Sequence, residues 1–450
     1  MLELMKRIVG ETNFSQDDFE LWCYSRDAGS LLPKKPEAVV VVDSVTSLVK
    51  IMRLAHRYKK PVIARGAASS MCGAPNPVEE GTVMLDLTKL QGIEVNEDSM
   101  TVTVETGVTW GQLNAYLAEK GWEIGLEGPW SAPSATIGGT LAVHAICMGA
   151  ARYGTLGTQV VGLEVVLPDG TLLRTGSAAN PNNHMVTRDC NGADLTGLFL
   201  GSHGTLGIIT KAALKIYPLS TGLGYGAYSF ATIEDTIEAT YGLAKHGLVY
   251  DCRVFVRPVP TEIGGTAGLV FMTKALSQAA AQDLTMKAKE TCNNCGGKEI
   301  EPFGQEYYEG RNDARVKAFG KAGPGWLEVA GFLPIRKYPK VAKVVLDYFA
   351  EHQQMLDDLA ISWSLGGLLE TRSINIPMAL FCNEKNKETW NRMIGVLEEL
   401  AEIMFAQGVS PYWIGHLSPF VMWKLGPTYE LYKRIKAELD PNNVLNPGML

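Results

Sequence analysis

Residues 64–75 read ARGAASSMCGAP. A short apolar run at residues 61–64, PVIA, opens directly into this string of small side chains. Successive backbone N–H groups in such a loop can converge on an anion, and the hydroxyls of Ser69 and Ser70 would stand beside them. A second segment, PSATIGGTLA at residues 133–142, carries no charge and bares its backbone at Gly138 and Gly139. Missing side chains there suit either a flat ring laid on the backbone or close packing of a helix against a strand. A third, GSHGTLGIIT at residues 201–210, puts a tight glycine turn before a buried strand, and alone reads as an ordinary hairpin.

Other chemistries lack their signatures. No G-x-G-x-x-G follows a strand, and neither G-x-x-x-x-G-K-[ST] nor H-E-x-x-H occurs. The 7 histidines are scattered, so local spacing points to no metal. Cys292 and Cys295 have redox or zinc spacing in CNNC, but no further ligands lie near in sequence and the pair follows a helix instead of opening one. They read as structural.

The elements around these segments are mixed. Up to about residue 218, β-branched runs such as AVVVVD and TVMLDL alternate with amphipathic helices, one capped by Ser44 and one by Thr109. VVGLEVVLPDGTLLRTG is a hairpin around Pro-Asp-Gly, and residues 201–219 supply two more strands. Beyond residue 218 the segments lengthen. Helices are expected over 234–246, 276–292, 338–352, 384–407 and 428–439, with strands between them such as RVFVRPV and GWLEVAGFLPI. The expected class is α+β: a first domain over 1–219, an antiparallel sheet flanked by helices over 220–415, and a closing segment over 416–450.

A chain of 450 residues with 46% hydrophobic and 20% charged content has ample material for two domains. A net charge of −7 without basic blocks argues against a nucleic-acid partner. The 8 irregularly spaced cysteines form no disulfide framework. Residues 1–18 lack the apolar core and cleavage site of a signal peptide, and no run is long enough to span a membrane. A cytoplasmic location is expected, with peripheral membrane attachment through a partner open.

In this order, the three small-residue segments and the final LDPNNVLNPG resemble the flavoprotein family typified by vanillyl-alcohol oxidase, p-cresol methylhydroxylase and the flavin subunits of glycolate oxidase and D-lactate dehydrogenase. The resemblance covers residues 25–219 and 429–447. It implies a two-lobed FAD-binding domain of the p-cresol methylhydroxylase type, a cap domain, and FAD as cofactor. Arg65, Gly66, Ala67, Ala68, Ser69, Ser70 and Met71 would wrap the pyrophosphate. Pro133, Ser134, Ala135, Thr136, Gly138, Gly139 and Thr140 would run along the flavin ring, so that bareness at 138–139 would serve the isoalloxazine. Gly204, Gly207, Ile208 and Ile209 would close over the adenine end, and Asn446 would return with the last residues.

Departures from the pattern matter too. Thr140, His144, Ile146 and Cys147 stand where glycolate-oxidase-type members carry Asn or Gly, and His203 stands at a usually acidic position. The metal-binding H-x-G-D-G-N-x-H and the E-H-G-x-G stretch are missing, so no metal is expected. Ala68, Ser69 and Ser70 replace the histidine that holds FAD covalently in some members.

The expected reaction is hydride transfer from an alcohol or 2-hydroxy acid carbon to flavin N5. Electrons would then pass to a protein, quinone or other acceptor, and a homo- or hetero-oligomer is open. A p-cresol-type dehydrogenase of 4-alkylphenols and a non-catalytic FAD-binding electron-transfer subunit are the alternatives. For substrate contacts the choices are Tyr412 and His416 in PYWIGH, with Trp413 beside them, and His144. Arg372 could fork to a carboxylate or pair with Glu370. Arg311, Arg315, Trp363 and Trp423 rank lower.

Overall fold

A computed structural model describes residues 1–29, 31, 33–256, 266–310, 325–414 and 419–450, with the backbone alone at 419 and 420. Packing divides the chain into two compact units: Met1–Ile146, Thr155–Tyr217 and Ile414–Leu450 form one, Cys147–Gly154 and Pro218–Trp413 the other.

The first unit contains two sheets. In the smaller, Ala38–Val41 and Val62–Arg65 flank Val83–Asp86 in parallel, and Phe14–Ser15 adds an antiparallel edge. Helix Val45–Tyr58 crosses over between parallel strands. Ser44 caps it by accepting from the Ser47 N–H at 3.2 Å, and Leu48, Ile51, Met52 and Ala55 form its fully buried stripe. The larger sheet is antiparallel, with Ile208–Pro218 between Thr101–Glu105 and Val160–Val166. Only one strand comes from residues 201–219, where two were expected. The glycines and positive backbone angles at 201, 203 and 204 curl residues 201–207 into turns instead.

The last residues join the first core. Val444 and Leu445 are fully buried beside Val40, Val62 and Leu85, and the Val62 N–H donates to Val444 O at 2.8 Å. Apolar burial plus a backbone bond to a strand that otherwise has a free edge accounts for this return.

In the second unit, Gly222–Phe230, Ala267–Ala275, Asp251–Val256 and Ser362–Glu370 pair antiparallel in a sheet of ten strands among the described residues. Helices Ile233–Lys245 and Gln278–Asn294 pack on its first strands. Tyr338–Glu351 packs with Lys387–Ala406, which lies on the Met378–Cys382 strand. The Cys147–Gly154 segment, expected with the first domain, packs here. Its Gly149 N–H donates to Asp251 Oδ1 at 3.3 Å, Arg152 Nη1 donates to Lys274 O at 2.5 Å, and Met148 sits in an apolar cluster with Tyr250 and Met272. These partners lie about a hundred residues away in sequence, so no local pattern announces them.

Candidate functional site

The Val62–Arg65 strand ends where Gly66 meets Thr136: a Cβ on Gly66 would lie 2.1 Å from Thr136 Oγ1. This close approach brings the first two small-residue segments together. The Ser69 and Ser131 hydroxyls, 3.1 Å apart, make a second link. Among the described residues, the N–H groups of Gly66, Ala67, Ala68, Ser70 and Met71 donate to no protein acceptor. Exposed or half-buried, these residues present backbone donors that can converge on an anion.

Arg65, the last residue of the Val62–Arg65 strand, leads into this loop. Its guanidinium is buried, 5.1 Å from the centre of the Tyr24 ring, and Nη2 donates to Arg26 O at 3.0 Å. Nη1 is buried without a partner among the described residues. Burial lowers the guanidinium's pKa, with Asp27 the foremost group opposing it.

The strip expected to run along a flavin ring is narrower in the structure than the sequence suggested. Thr136 caps helix Ile137–Val143, its Oγ1 accepting from the Gly139 N–H at 3.2 Å. The N–H groups of Ala135, Ile137, Gly138 and Thr140 are likewise spent on backbone carbonyls. Thr140 is buried, donating to Thr136 O at 2.8 Å and accepting from Trp110 Nε1 at 2.9 Å. What remains for a flat ligand is the exposed surface of Pro133, Ser134 and Gly139.

The two glycines therefore have different reasons. A Cβ on Gly138 would stand 2.4 Å from Thr106 Cβ, so Gly138 is bare to let the helix meet the chain leaving strand Thr101–Glu105. That corrects the reading that both serve a ring. At Gly139 a Cβ would approach only the cap, Thr136 Oγ1, at 3.1 Å, and the residue is exposed.

The third segment is held by the C-terminus. Asn446 Nδ2 donates to both His203 O, at 2.7 Å, and Ala74 O, at 2.8 Å, while its N–H donates to Val62 O at 2.9 Å. Its Oδ1 is buried and without a partner among the described residues. Lys436 Nζ adds bonds to Thr205 O at 2.9 Å and Leu445 O at 2.8 Å, and pairs with Asp440. Gly204 has a φ of 69°, which suits glycine. Gly207 is bare for packing, since a Cβ would lie 2.5 Å from Val165 Cγ1. Ile208 and Ile209 are buried strand residues paired with Val166 and Val165.

His144 closes the helix after Gly139 at a φ of 50°. Its Nε2 accepts from the Gly157 N–H at 3.0 Å, which places the ring proton on Nδ1. Burial first, then Arg188, lowers its pKa below 6.5. This geometry gives His144 a structural task, linking the helix to residue 157.

In the second unit, the Tyr412 N–H donates to Ala330 O at 3.0 Å. Its ring meets Phe332 edge-on at 5.4 Å and stacks on Trp413 at 4.5 Å. His416, Arg311 and Arg315 lie outside the described residues. Arg372 is exposed at the turn between Ser362–Glu370 and Ser373–Asn375. Glu370 accepts from Ser373 Oγ at 2.5 Å and Thr371 Oγ1 at 3.2 Å, not from Arg372. Trp363 stacks on Phe349 at 4.2 Å, a packing role, whereas Trp423 is exposed. Cys292 and Cys295 are free thiols, both pushed up by burial, as expected of inert residues. Among the described residues, no three His, Cys, Asp or Glu side chains gather as a metal site.

Two features escaped the sequence reading. Arg253 is buried and forks to Asp251, Nε to Oδ2 at 2.8 Å and Nη2 to Oδ1 at 3.2 Å, while Tyr308 OH donates to Asp251 at 3.1 Å. Alternating Asp and Arg on one face of an apolar strand was the available signal. The other is the segment at residues 27–29, whose Ala28 N–H and Asp27 carboxylate bond the loop.

Comparison with known proteins fits this geometry. Residues 36–176 match the family of the FAD binding domain, and residues 375–450 that of the FAD linked oxidases, C-terminal domain. A D-lactate dehydrogenase of Archaeoglobus fulgidus is 32% identical over 434 residues, covering 92% of each chain. The chain belongs to the FAD-linked oxidoreductases of the D-lactate dehydrogenase and glycolate oxidase family. Glycolate oxidase subunit GlcD of Bacillus subtilis is 25% identical to this flavoprotein, over 100% of the chain and 96% of the relative. A solved p-cresol methylhydroxylase with substrate bound shares its fold, with a TM-score of 0.85, 19% identity and coverage of 100% and 95%. FAD is the cofactor of this family, and the open N–H run and the orphaned Asn446 Oδ1 fit a ligand with a pyrophosphate and further hydrogen-bonding groups.

Proposed function

We propose that this FAD-linked oxidoreductase oxidises a small 2-hydroxy acid to the oxo acid and passes the electrons to a protein or quinone. The observation that carries the cofactor site is the set of N–H groups at Gly66, Ala67, Ala68, Ser70 and Met71 that donate to no protein acceptor among the described residues. In this reading Gly66–Met71 bind the pyrophosphate, and the exposed Pro133, Ser134 and Gly139 lie along the isoalloxazine. The turn with Gly204 and Gly207 faces the adenine end, and Asn446 joins that turn to the loop. Bound FAD supplies the hydride acceptor. Tyr412, its ring set by Phe332 and Trp413, and His416 are our choices for substrate contact. Arg372 is our choice for a carboxylate.

The names of the Archaeoglobus and Bacillus relatives support a 2-hydroxy acid over a phenol, because the p-cresol enzyme's likeness is one of fold. Among the described residues no helix is long and apolar enough to cross a membrane. Anaerobic titration of the purified holoprotein with D-lactate, glycolate and p-cresol tests the proposal. Bleaching of the flavin by a hydroxy acid alone is expected. Bleaching by p-cresol alone, or by no donor, refutes it, and the latter leaves the electron-transfer subunit as the reading.

A further inference from the structure

Residues 27–29 meet the loop from its middle to its far end. The Ala28 N–H donates to Ala68 O at 3.0 Å and to Ser70 O at 2.9 Å. The Asp27 carboxylate accepts from the Gly29 N–H at 3.0 Å and from the Gly73 N–H at 2.8 Å, with Asn76 Nδ2 at 3.5 Å. Gly29 lies so close that a Cβ would stand 2.6 Å from Met71 O. One carboxylate thus ties the start of residues 27–29 to the far end of the loop, while the next N–H draws in the carbonyls between.

Those two carbonyls fix the direction of the peptide N–H that follows each of them. In a trans peptide the C=O of one residue and the N–H of the next point in opposite directions. With Ser70 O turned toward Ala28, the N–H group of Met71, which has no protein acceptor among the described residues, is directed away from it, and Ala68 O fixes the preceding peptide in the same sense. Ala68 takes up the reversal with a φ of 50°, a region a non-glycine residue rarely occupies unless its surroundings impose it.

We propose that residues 27–29 form a clasp whose function is to aim the loop's N–H groups at the FAD pyrophosphate, with Asp27 as the positioning residue. This rests on the assignment of the pyrophosphate to Gly66–Met71. Asp27 does not touch the cofactor in this account. It acts through Gly73 and through the orientation of residues 68–71. Burial pushes its carboxyl up to about 6, against the pull of its N–H donors, Asn76 and Arg65. Arg65 is the cation that faces it, and the buried Cys72 thiol also senses its charge, pushed up by burial and by Asp27. An ionised carboxylate held there at neutral pH opposes folding by itself, so its contribution lies in the geometry it enforces.

The test uses the full-length holoprotein with Asp27→Ala and Gly29→Ala. Asp27→Ala strips the acceptor from two N–H groups, and Gly29→Ala drives a methyl into Met71 O. The FAD dissociation constant by equilibrium dialysis and the phosphorus NMR spectrum of bound FAD are read together. For both variants the dissociation constant is expected to rise about tenfold or more. The pyrophosphate resonances should move toward those of free FAD, while the visible flavin spectrum keeps its wild-type shape. A lower melting temperature with wild-type affinity and resonances would make the clasp merely structural and overturn the proposal. Should wild-type bound FAD already show the resonances of free FAD, the assignment of the pyrophosphate to the loop fails first and the clasp falls with it.

Discussion

Replacing Gly138 and Gly139 one at a time by alanine separates the two roles assigned to adjacent residues of one helix turn. Alanine gains up to about 1 kcal/mol over glycine in a helix interior, less in a first turn. At Gly138 that gain is overwhelmed. The new methyl would lie 2.4 Å from Thr106 Cβ, and Thr106 is buried with its Oγ1 bonded to Ile209 O at 3.1 Å, so it has nowhere to swing. Overpacking of this kind costs about 1–3 kcal/mol, at roughly 2–4 °C of melting temperature per kcal/mol in a domain of this size. Gly138→Ala should therefore melt several degrees below wild type even with FAD removed, and Thr106→Gly in the same chain should restore part of the loss.

Gly139→Ala should leave the melting temperature of the FAD-free chain unchanged or slightly raised, because its methyl meets only Thr136 Oγ1. If the isoalloxazine lies on that exposed face, the same methyl weakens FAD binding. Differential scanning calorimetry of the FAD-free chain and dialysis against FAD give both numbers. A Gly138→Ala protein as stable as wild type would refute the packing argument, and wild-type FAD affinity in Gly139→Ala would remove the ring from that strip.

Acid should weaken the first unit through His144. Its folded value lies below 6.5, so the unfolded chain takes up the proton first and stability falls as pH drops from about 6.5 toward the folded value. His144→Gln, whose carbonyl can still accept from Gly157, should lose that component in melting curves taken from neutral pH to about 5; an unchanged profile would contradict it. Lys436→Met deletes the buried cation that holds Thr205 O, Leu445 O and Asp440, and leaves a carboxylate with no exposed side-chain surface. Urea denaturation should show a loss of about 3–5 kcal/mol, with Lys436→Met/Asp440→Asn less destabilised than the sum of its single changes. Additive losses would show that the pair does not act as a unit.

Features carried by a few consecutive residues could be read from the chain. Ser44 and Thr109 cap helices because the cap and the N–H it serves lie three residues apart, and the helices of the second unit show their apolar stripes at helical spacing. The order of small-residue segments pointed to the family, and the α+β class followed from the change of pattern near residue 218. None of this required knowing which segment touches which.

The rest depended on contacts between distant residues. Gly138 is bare because of Thr106, and Asp27 reaches Gly73 across 46 positions. Asn446 reaches back across 243 positions to His203 and 372 to Ala74. Cys147–Gly154 left the unit its neighbours occupy because Asp251 and Lys274 offered it partners. The chain alone leaves His144 as either a ligand or a support, and its bond from the Gly157 N–H exists only in the folded structure. A glycine or a polar side chain advertises that something must meet it. What meets it is decided by close packing and by the demand that buried hydrogen-bonding groups be paired, and both are satisfied in three dimensions without regard to distance along the chain.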